Sequence, residues 1–371
     1  MWPFRKRTKD RALFQIGDLP MLPTWAGVSV TPDTALRLAA VWSCVALLAG
    51  SISTLPVHAY REGEREPLAT PPLLAQPAAR TPLPDFLHQT MVSLLLRGNA
   101  YGIVVARSGA TMLPTQVELA NPDRMAVRLT DQGRVEYRLG DQVYEPGDVW
   151  HVKGFSVPGS LVGLSPVQYL RQAIGLGLAA EEYGARLFGS GSLMSGVLQT
   201  DADLDEDDAT ALKERWQAKI AGLAHAHEVA VLDNGAKWQP ISISPADSQL
   251  LDSRKFSVLE ICRAYGVPAE LVNADDGNSM TYANIEGRDL SFLKYSVAPW
   301  LTRLETALTA LLPRSTYVKF NTGALLRTDL KTRYESYKLA LEGGWLTLDE
   351  IRELEDRPPL PQAPPPAEEA A

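Results

Sequence analysis

Apolar positions three and four residues apart organise the second half of this chain. Across residues 245–267, Leu250, Leu251, Val258, Ile261, Cys262 and Tyr265 recur at helical spacing. Gly266-Val267-Pro268 then places a residue suited to left-handed backbone before one that cannot continue a helix, so the helix is predicted to stop there. From residue 284 to 312 a second seam runs through Leu290, Leu293, Val297, Leu301, Leu304, Leu308 and Leu311. It spans about 30 residues, or roughly 45 Å at 1.5 Å per residue. Pro299 lies inside the seam, where a missing backbone donor costs about 3 kcal/mol, and a kink is predicted at that point. The intervening stretch, AELVNADDGNSMTYANIE (269–286), is polar and rich in turn-formers.

The first half alternates between helical and strand patterns. Thr31 caps a helix whose first residue is Pro32. Residues 38–55 are eighteen in a row without a charge, the minimal length of a membrane span. Serines and Thr54 dilute the stretch, Arg37 abuts it and Pro56 ends it, so we read a buried helix followed by a strand at VHAYR. Residues 62–84 are a Pro/Ala-rich connector, and a helix over 82–97 is stopped by Gly98. From 101 to 152 the period becomes two, which predicts one antiparallel meander packed on the helices, with turns at Asn121-Pro122-Asp123 and Glu145-Pro146-Gly147-Asp148. Residues 163–189 form a helix containing Gly175, Gly177 and Gly184. Each glycine costs about 1 kcal/mol against alanine, so a close neighbour is required, and a clamp within an assembly is expected to supply it. A strand at 195–198, a helix at 206–220 and a hairpin of 229–232 with 237–243 follow. After a short strand at 317–320, helices are expected over 328–341 and 347–354, the second opened by a capping box of Thr347 and Glu350. The Pro-rich end is read as disordered, and residues 1–30 as a loosely held arm without a signal-peptide core.

Composition places this pattern in a folded protein of two or three compact units: 371 residues, 45% hydrophobic and 22% charged. A net charge of −8 argues against a broad surface gripping phosphates. Cys44 and Cys262 both fall in apolar helical patterns and read as buried thiols of a reducing compartment.

Candidate chemistry is sparse. GLGLAA (175–180) fits a dinucleotide fingerprint in form, but it follows no strand and sits inside a helix. DADLDEDD (201–208) fails as a calcium loop, with Glu206 where glycine is required and Leu212 where glutamate is required; NADDGNS (273–279) fails similarly. The acidic residues of 201–208 suit a helix start, with Lys213, Arg215 and Lys219 towards that helix's end. His225 and His227 lack a third ligand. Leu348-Asp349-Glu350 resembles the acidic end of a nucleotide-hydrolysis strand, but the capping box explains it. No GxxxxGK[ST] phosphate loop, no GxSxG elbow and no paired carboxylates with a basic neighbour occur in the sequence, so no metal, no cofactor and no catalytic residue is expected.

Several segments are similar to signature stretches of one family: WSCVALLAGSISTLPVHAYR (42–61), LLLRGNAYG (94–102), GFSVPGSLVGLSPV (154–167), AAEEYGARLFGSG (179–191), RKFSVLEICRAYGVPAELV (254–272), TYANIE (281–286), APWLTRLETAL (298–308) and FNTGALLRTD (320–329). In this order they resemble the portal proteins of tailed, double-stranded-DNA bacteriophages, prophages and gene transfer agents.

The resemblance implies an α+β portal fold. Its parts would be a flexible arm (1–30), an α/β wing (31–162), a first stem helix (163–194), a small α/β clip (195–243), a second stem helix (244–267), a tunnel loop (268–283), a kinked tunnel helix (284–312), a strand returning to the wing (313–327), a short crown (328–357) and a Pro-rich tail (358–371). It implies a structural subunit of a dodecameric ring at one capsid vertex, assembled in the host cytoplasm and carried in the virion. Double-stranded DNA would pass through its centre for packaging and ejection, with no membrane involved. Implied partners are the large terminase, the head-tail adaptor and the major capsid protein. Asn273, Asp275, Asp276, Asn278, Ser279 and Tyr282 would face DNA, with Pro299 at the kink of the tunnel helix. Asp205, Asp208, Lys213 and Trp216 would lie on the clip where terminase and adaptor dock. Two other classes are kept open: a nucleic-acid-processing enzyme, and a membrane channel built on residues 38–55.

Overall fold

The computed structural model describes residues 24–64, 66–189, 196–199, 210, 237–240, 246–272, 282–324, 330–355 and 357–360. The chain opens with a one-turn helix, α1 (Pro32–Ala35), closed by the Thr31/Thr34 capping box, and then enters α2 (Ala39–Ser53). Val41, Cys44, Leu48, Ala49 and Ile52 on α2 have no exposed surface. The uncharged stretch is therefore the centre of the core, and no described helix is long and apolar enough to cross a membrane. Strand β1 (Val57–Arg61) and short α3 (Pro72–Ala75) lead to α4 (Leu83–Arg97), which packs on α2 and buries Phe86, Leu87, Met91, Leu94 and Leu95. Each such side chain contributes roughly 1.5–3 kcal/mol of burial.

The alternating stretch folds as two sheets, which corrects the single meander. Strand β2 (Asn99–Arg107) is flanked by β3 (Pro114–Ala120) and by β7 (Val149–Lys153), while β4 (Met125–Leu129), β5 (Val135–Leu139) and β6 (Gln142–Tyr144) form a separate antiparallel sheet. The cause is that β7 pairs back with β2 in register, Tyr101 against His151, instead of extending β6. Val127 and Tyr137 then turn inward with Tyr101, Val149 and Val162 as a second, smaller core.

Next come α5 (Pro166–Tyr169) and α6 (Arg171–Gly189). The predicted start at residue 163 is corrected because Ser165 caps Pro166–Tyr169, its hydroxyl accepting from the Gln168 amide at 3.3 Å, while Gly163 is used in a loop crossing. The clamp on the helical glycines is also corrected in part. A side chain at Gly175 would meet Thr24 at 2.6 Å, and one at Gly177 would meet Leu38 at 2.9 Å. The chain's own N-terminal segment supplies the close neighbour at both positions. Strands β8 (Gly196–Gln199) and β9 (Lys237–Pro240) pair antiparallel; residues 229–232, the other half of the expected hairpin, lie outside the described residues.

Helix α7 (Ala246–Tyr265) packs on both α6 and α2. It ends as predicted: Gly266 has φ +67°, its amide donates to Arg263 O, and the Val267 amide donates to Cys262 O, which is a Schellman stop. Helix α8 (Tyr282–Ser291), a π-helical segment (Phe292–Val297) and α9 (Ala298–Thr309) follow. Strand β10 (Thr316–Phe320) returns to pair antiparallel with β1, Val318 opposite Ala59. A final pair, α10 (Leu330–Glu342) and α11 (Leu348–Leu354), is joined through Gly344, at φ +68°, and the predicted Thr347/Glu350 capping box.

One junction fixes how the sheets meet the helices. Gly98, in left-handed backbone, ends α4, and its carbonyl accepts from the Gly154 amide at 2.8 Å. The next residue, Asn99, is buried. Its Nδ2 donates to Gly163 O at 2.8 Å and to Arg97 O at 3.2 Å, while its Oδ1 accepts from the Gly163 amide at 2.6 Å. The same oxygen lies 3.0 Å from His151 Nε2, and His151 Nδ1 lies 3.2 Å from the Tyr137 hydroxyl. An amide oxygen only accepts, so Nε2 carries the imidazole proton and Nδ1 accepts from Tyr137. Burial, and secondarily Lys153, lowers the His151 pKa from 6.5 to about 3. The ring stacks on Tyr101 with centroids 4.4 Å apart. The neutral imidazole thus bridges the two sheets and the loop that leads into α5 and α6.

Candidate functional site

The rod formed by α8, the π-helical segment and α9 is fastened to the sheets at its far end and to the end of α7 nearer its start. On α9, Val297, Leu301, Leu304 and Leu308 are buried. The Ala307 carbonyl accepts from the Trp150 indole at 2.8 Å, Arg303 donates to Lys153 O at 3.3 Å, Glu305 accepts from the Phe320 amide at 2.9 Å and Thr309 accepts from the Val318 amide at 3.0 Å. These bonds tie α9 to β7 and β10. The periodic leucines orient the seam, and the polar residues between them satisfy the edge amides of the sheet that it covers.

Towards its start the rod is held against the end of α7. Ser296 donates through its hydroxyl to Gly266 O, and Arg288 lies 3.7 Å from Glu270, which belongs to the short turn Ala269–Val272. Residues 273–281 connect that turn to α8. Lys294 sits over the ring of Tyr295, 5.1 Å from its centroid, and Tyr295 is 68% exposed. Glu270 and Arg288 are partly exposed, so their pairing contributes little stability on its own.

The π-helical segment changes the predicted register. A π turn holds more residues than an α turn, so the face that points inward rotates across it. This is why Leu290, placed in the seam by spacing, is 53% exposed, while the adjacent pair Ser296 and Val297 is buried. Pro299 is the second residue of α9, directly after the widened turn. There its ring and missing amide meet a backbone already released from regular α-helical bonding.

Of the sequence-predicted site residues, Asn273, Asp275, Asp276, Asn278 and Ser279 lie outside the described residues, as do Asp205, Asp208, Lys213 and Trp216. Tyr282 begins α8. The acidic stretch 201–208 and His225 and His227 are likewise outside them. Among the described residues no three His, Cys, Asp or Glu side chains gather to hold a metal ion. The polar junction at Asn99 and His151 was not singled out from the sequence. The only signal for it was the Arg97-Gly98-Asn99 turn directly before the alternating stretch.

The phage portal protein family model matches residues 39–356, from the start of α2 to just past α11. The chain belongs to that family. The probable portal protein of Streptomyces phage phiC31 is 34% identical over 95% of this chain and 80% of its own length. The portal protein of Enterobacteria phage HK97 is 29% identical over 90% of this chain and 82% of its own length. Among solved structures, a chain from the neck of a native gene transfer agent particle covers 94% of this chain and 99% of its own length, with a TM-score of 0.58 at 23% identity. A portal protein of the HK97 family from Corynebacterium diphtheriae has a TM-score of 0.59 at 17% identity, over 80% of this chain and 96% of its own length. These two establish a shared fold. This chain is a structural portal subunit, and α2, which the membrane reading needed, lies at the centre of its core.

Proposed function

We propose that twelve copies of this chain close into a ring at one vertex of a capsid, and that double-stranded DNA enters and leaves through the bore. The observation that carries this reading is the family match over residues 39–356. The solved neck of a gene transfer agent particle with twelvefold symmetry supports the ring number. In this reading residues 31–162 are the wing, 163–194 and 244–267 the paired stem helices, 195–243 the clip, 284–312 the tunnel helix bent at Pro299, 313–327 the strand returning to the wing and 328–357 a short crown. The clip docks the large terminase and later the head-tail adaptor, through residues including Asp205, Asp208, Lys213 and Trp216. The wing meets the major capsid protein. The subunit has no catalytic step of its own.

Electrostatics favours passage over capture. Twelve copies at −8 carry −96 in formal charge, and a wall that does not condense on phosphates lets a duplex slide. Arg288, 3.7 Å from Glu270, and Lys294, over the Tyr295 ring, are local cations that touch phosphates transiently, and the polar loop with Asn273, Asp275, Asp276, Asn278, Ser279 and Tyr282 is the surface this reading turns to DNA. Deleting residues 275–279 should leave ring formation intact while the yield of DNA-filled particles falls at least tenfold, read by nuclease-protected DNA per particle. Normal filling of particles built from the deletion would refute the loop assignment.

A further inference from the structure

We propose that Cys44 on α2 and Cys262 on α7 form an oxidisable dithiol, a site of disulfide formation between the two helices under a peroxide-class oxidant. The two sulfurs lie 3.9 Å apart across 218 residues of sequence. Both side chains are buried, and they are the chain's only cysteines. A disulfide needs the sulfurs at about 2.05 Å, so each must move by about an ångström to close the bond. Burial pushes both thiols above their ordinary range, with Cys44 raised further by Cys262. The pair is thus slow to react and stays reduced where the cytoplasm supplies thiols.

The step balances with one peroxide. The Cys44 sulfur is oxidised to a sulfenic acid as one water leaves. The Cys262 thiol then displaces the second water, and the Sγ–Sγ bond forms. Two S–H bonds and the peroxide O–O bond are broken, and two electrons pass from sulfur to oxygen. The geometry favours the internal product because each sulfur is the other's nearest thiol and neither reaches the surface. The covalent strut would join the central core helix to the helix that ends at Gly266. Closing so long a loop restricts the unfolded chain strongly. On the portal reading, on which only this consequence rests, the subunit assembles reduced and is locked after the particle leaves the cell.

The test uses the full-length protein exposed to hydrogen peroxide, followed by alkylation in denaturant and peptide mass spectrometry. Both thiols should disappear together, and a linked Cys44–Cys262 peptide should appear with the loss of two hydrogens. The midpoint of denaturant unfolding should rise and return to its starting value with dithiothreitol. Cys262→Ala should abolish both changes, and Cys44→Ala serves as the second control. Should either variant fold poorly, the wild-type peptide map alone decides. Thiols that still alkylate fully after prolonged oxidation, sulfinic acid on one cysteine alone, or links only between molecules would overturn the proposal.

Discussion

Gly98→Ala is expected to destabilise the subunit by about 3 kcal/mol or more, enough to remove most soluble protein at 37 °C. Two independent costs meet at this residue. Gly98 holds φ +71°, and a Cβ there would sit 2.0 Å from the Leu164 carbonyl oxygen, which is backbone. Left-handed backbone costs an ordinary residue about 1–2 kcal/mol. The second cost is larger, because Leu164 cannot withdraw freely: its own amide donates to Phe155 O at 2.7 Å, and Ser165 donates to Leu96 O at 2.9 Å. Gly163→Ala should meet the steric cost without the left-handed one, since its φ is not positive but its Cβ would lie 2.1 Å from the Gly98 carbonyl oxygen. Gly266→Ala provides the contrast: its φ is positive like that of Gly98, but nothing lies within 4 Å of the added carbon, and only the smaller backbone cost applies. Denaturant unfolding of the three variants checks this order. Equal losses at Gly98 and Gly266 would contradict the backbone-crossing account.

Lowering the pH from 7 to 5 is expected to cost about 2 kcal/mol through His151 alone. In the fold this imidazole stays neutral down to about pH 3, against 6.5 for a free one. Its folded pKa is depressed, so its stabilising effect is whole above pH 6.5 and is lost as the pH falls from there towards 3. Each unit in that window costs about 1.4 kcal/mol. The physical reason is the junction itself. Asn99 Oδ1 and the Tyr137 hydroxyl already satisfy both ring nitrogens of the neutral form, so a second proton on Nδ1 would cost the bond from Tyr137. His151→Gln keeps a donor for Asn99 and cannot titrate. Its free energy of unfolding, measured in urea, should change between pH 7 and 5 by about 2 kcal/mol less than that of the wild type. Parallel pH profiles for the two proteins would remove His151 from the account.

Much of this architecture was legible because it is local. Thr31 before Pro32, Gly98 after a helical run, Gly266 before Pro268 and Thr347 three residues ahead of Glu350 each act within one or two turns of chain, and each stands where spacing placed it. The buried character of α2 followed from diluting serines and the prolines that bound it. What spacing could not supply depends on partners distant in sequence. That β7 pairs with β2 instead of β6 is decided across some fifty residues. Thr24 and Leu38 filling the space beside Gly175 and Gly177 is a contact between segments more than a hundred residues apart. The π turn escaped for a different reason: one extra residue in a turn leaves the leucine spacing intact on either side and shows only where Leu290 rotates outward. The resemblance supplied the family, which no single spacing contained, and the match over residues 39–356 bears it out.

The central claim is that these subunits close on themselves around a bore that a duplex can traverse. Electron microscopy of the purified full-length protein tests it most directly. The account predicts closed rings, twelve subunits in the assembled particle, with an axial opening at least as wide as a DNA duplex. A protein that remains monomeric under every condition, or a ring whose bore is lined mainly by lysine and arginine, would contradict it.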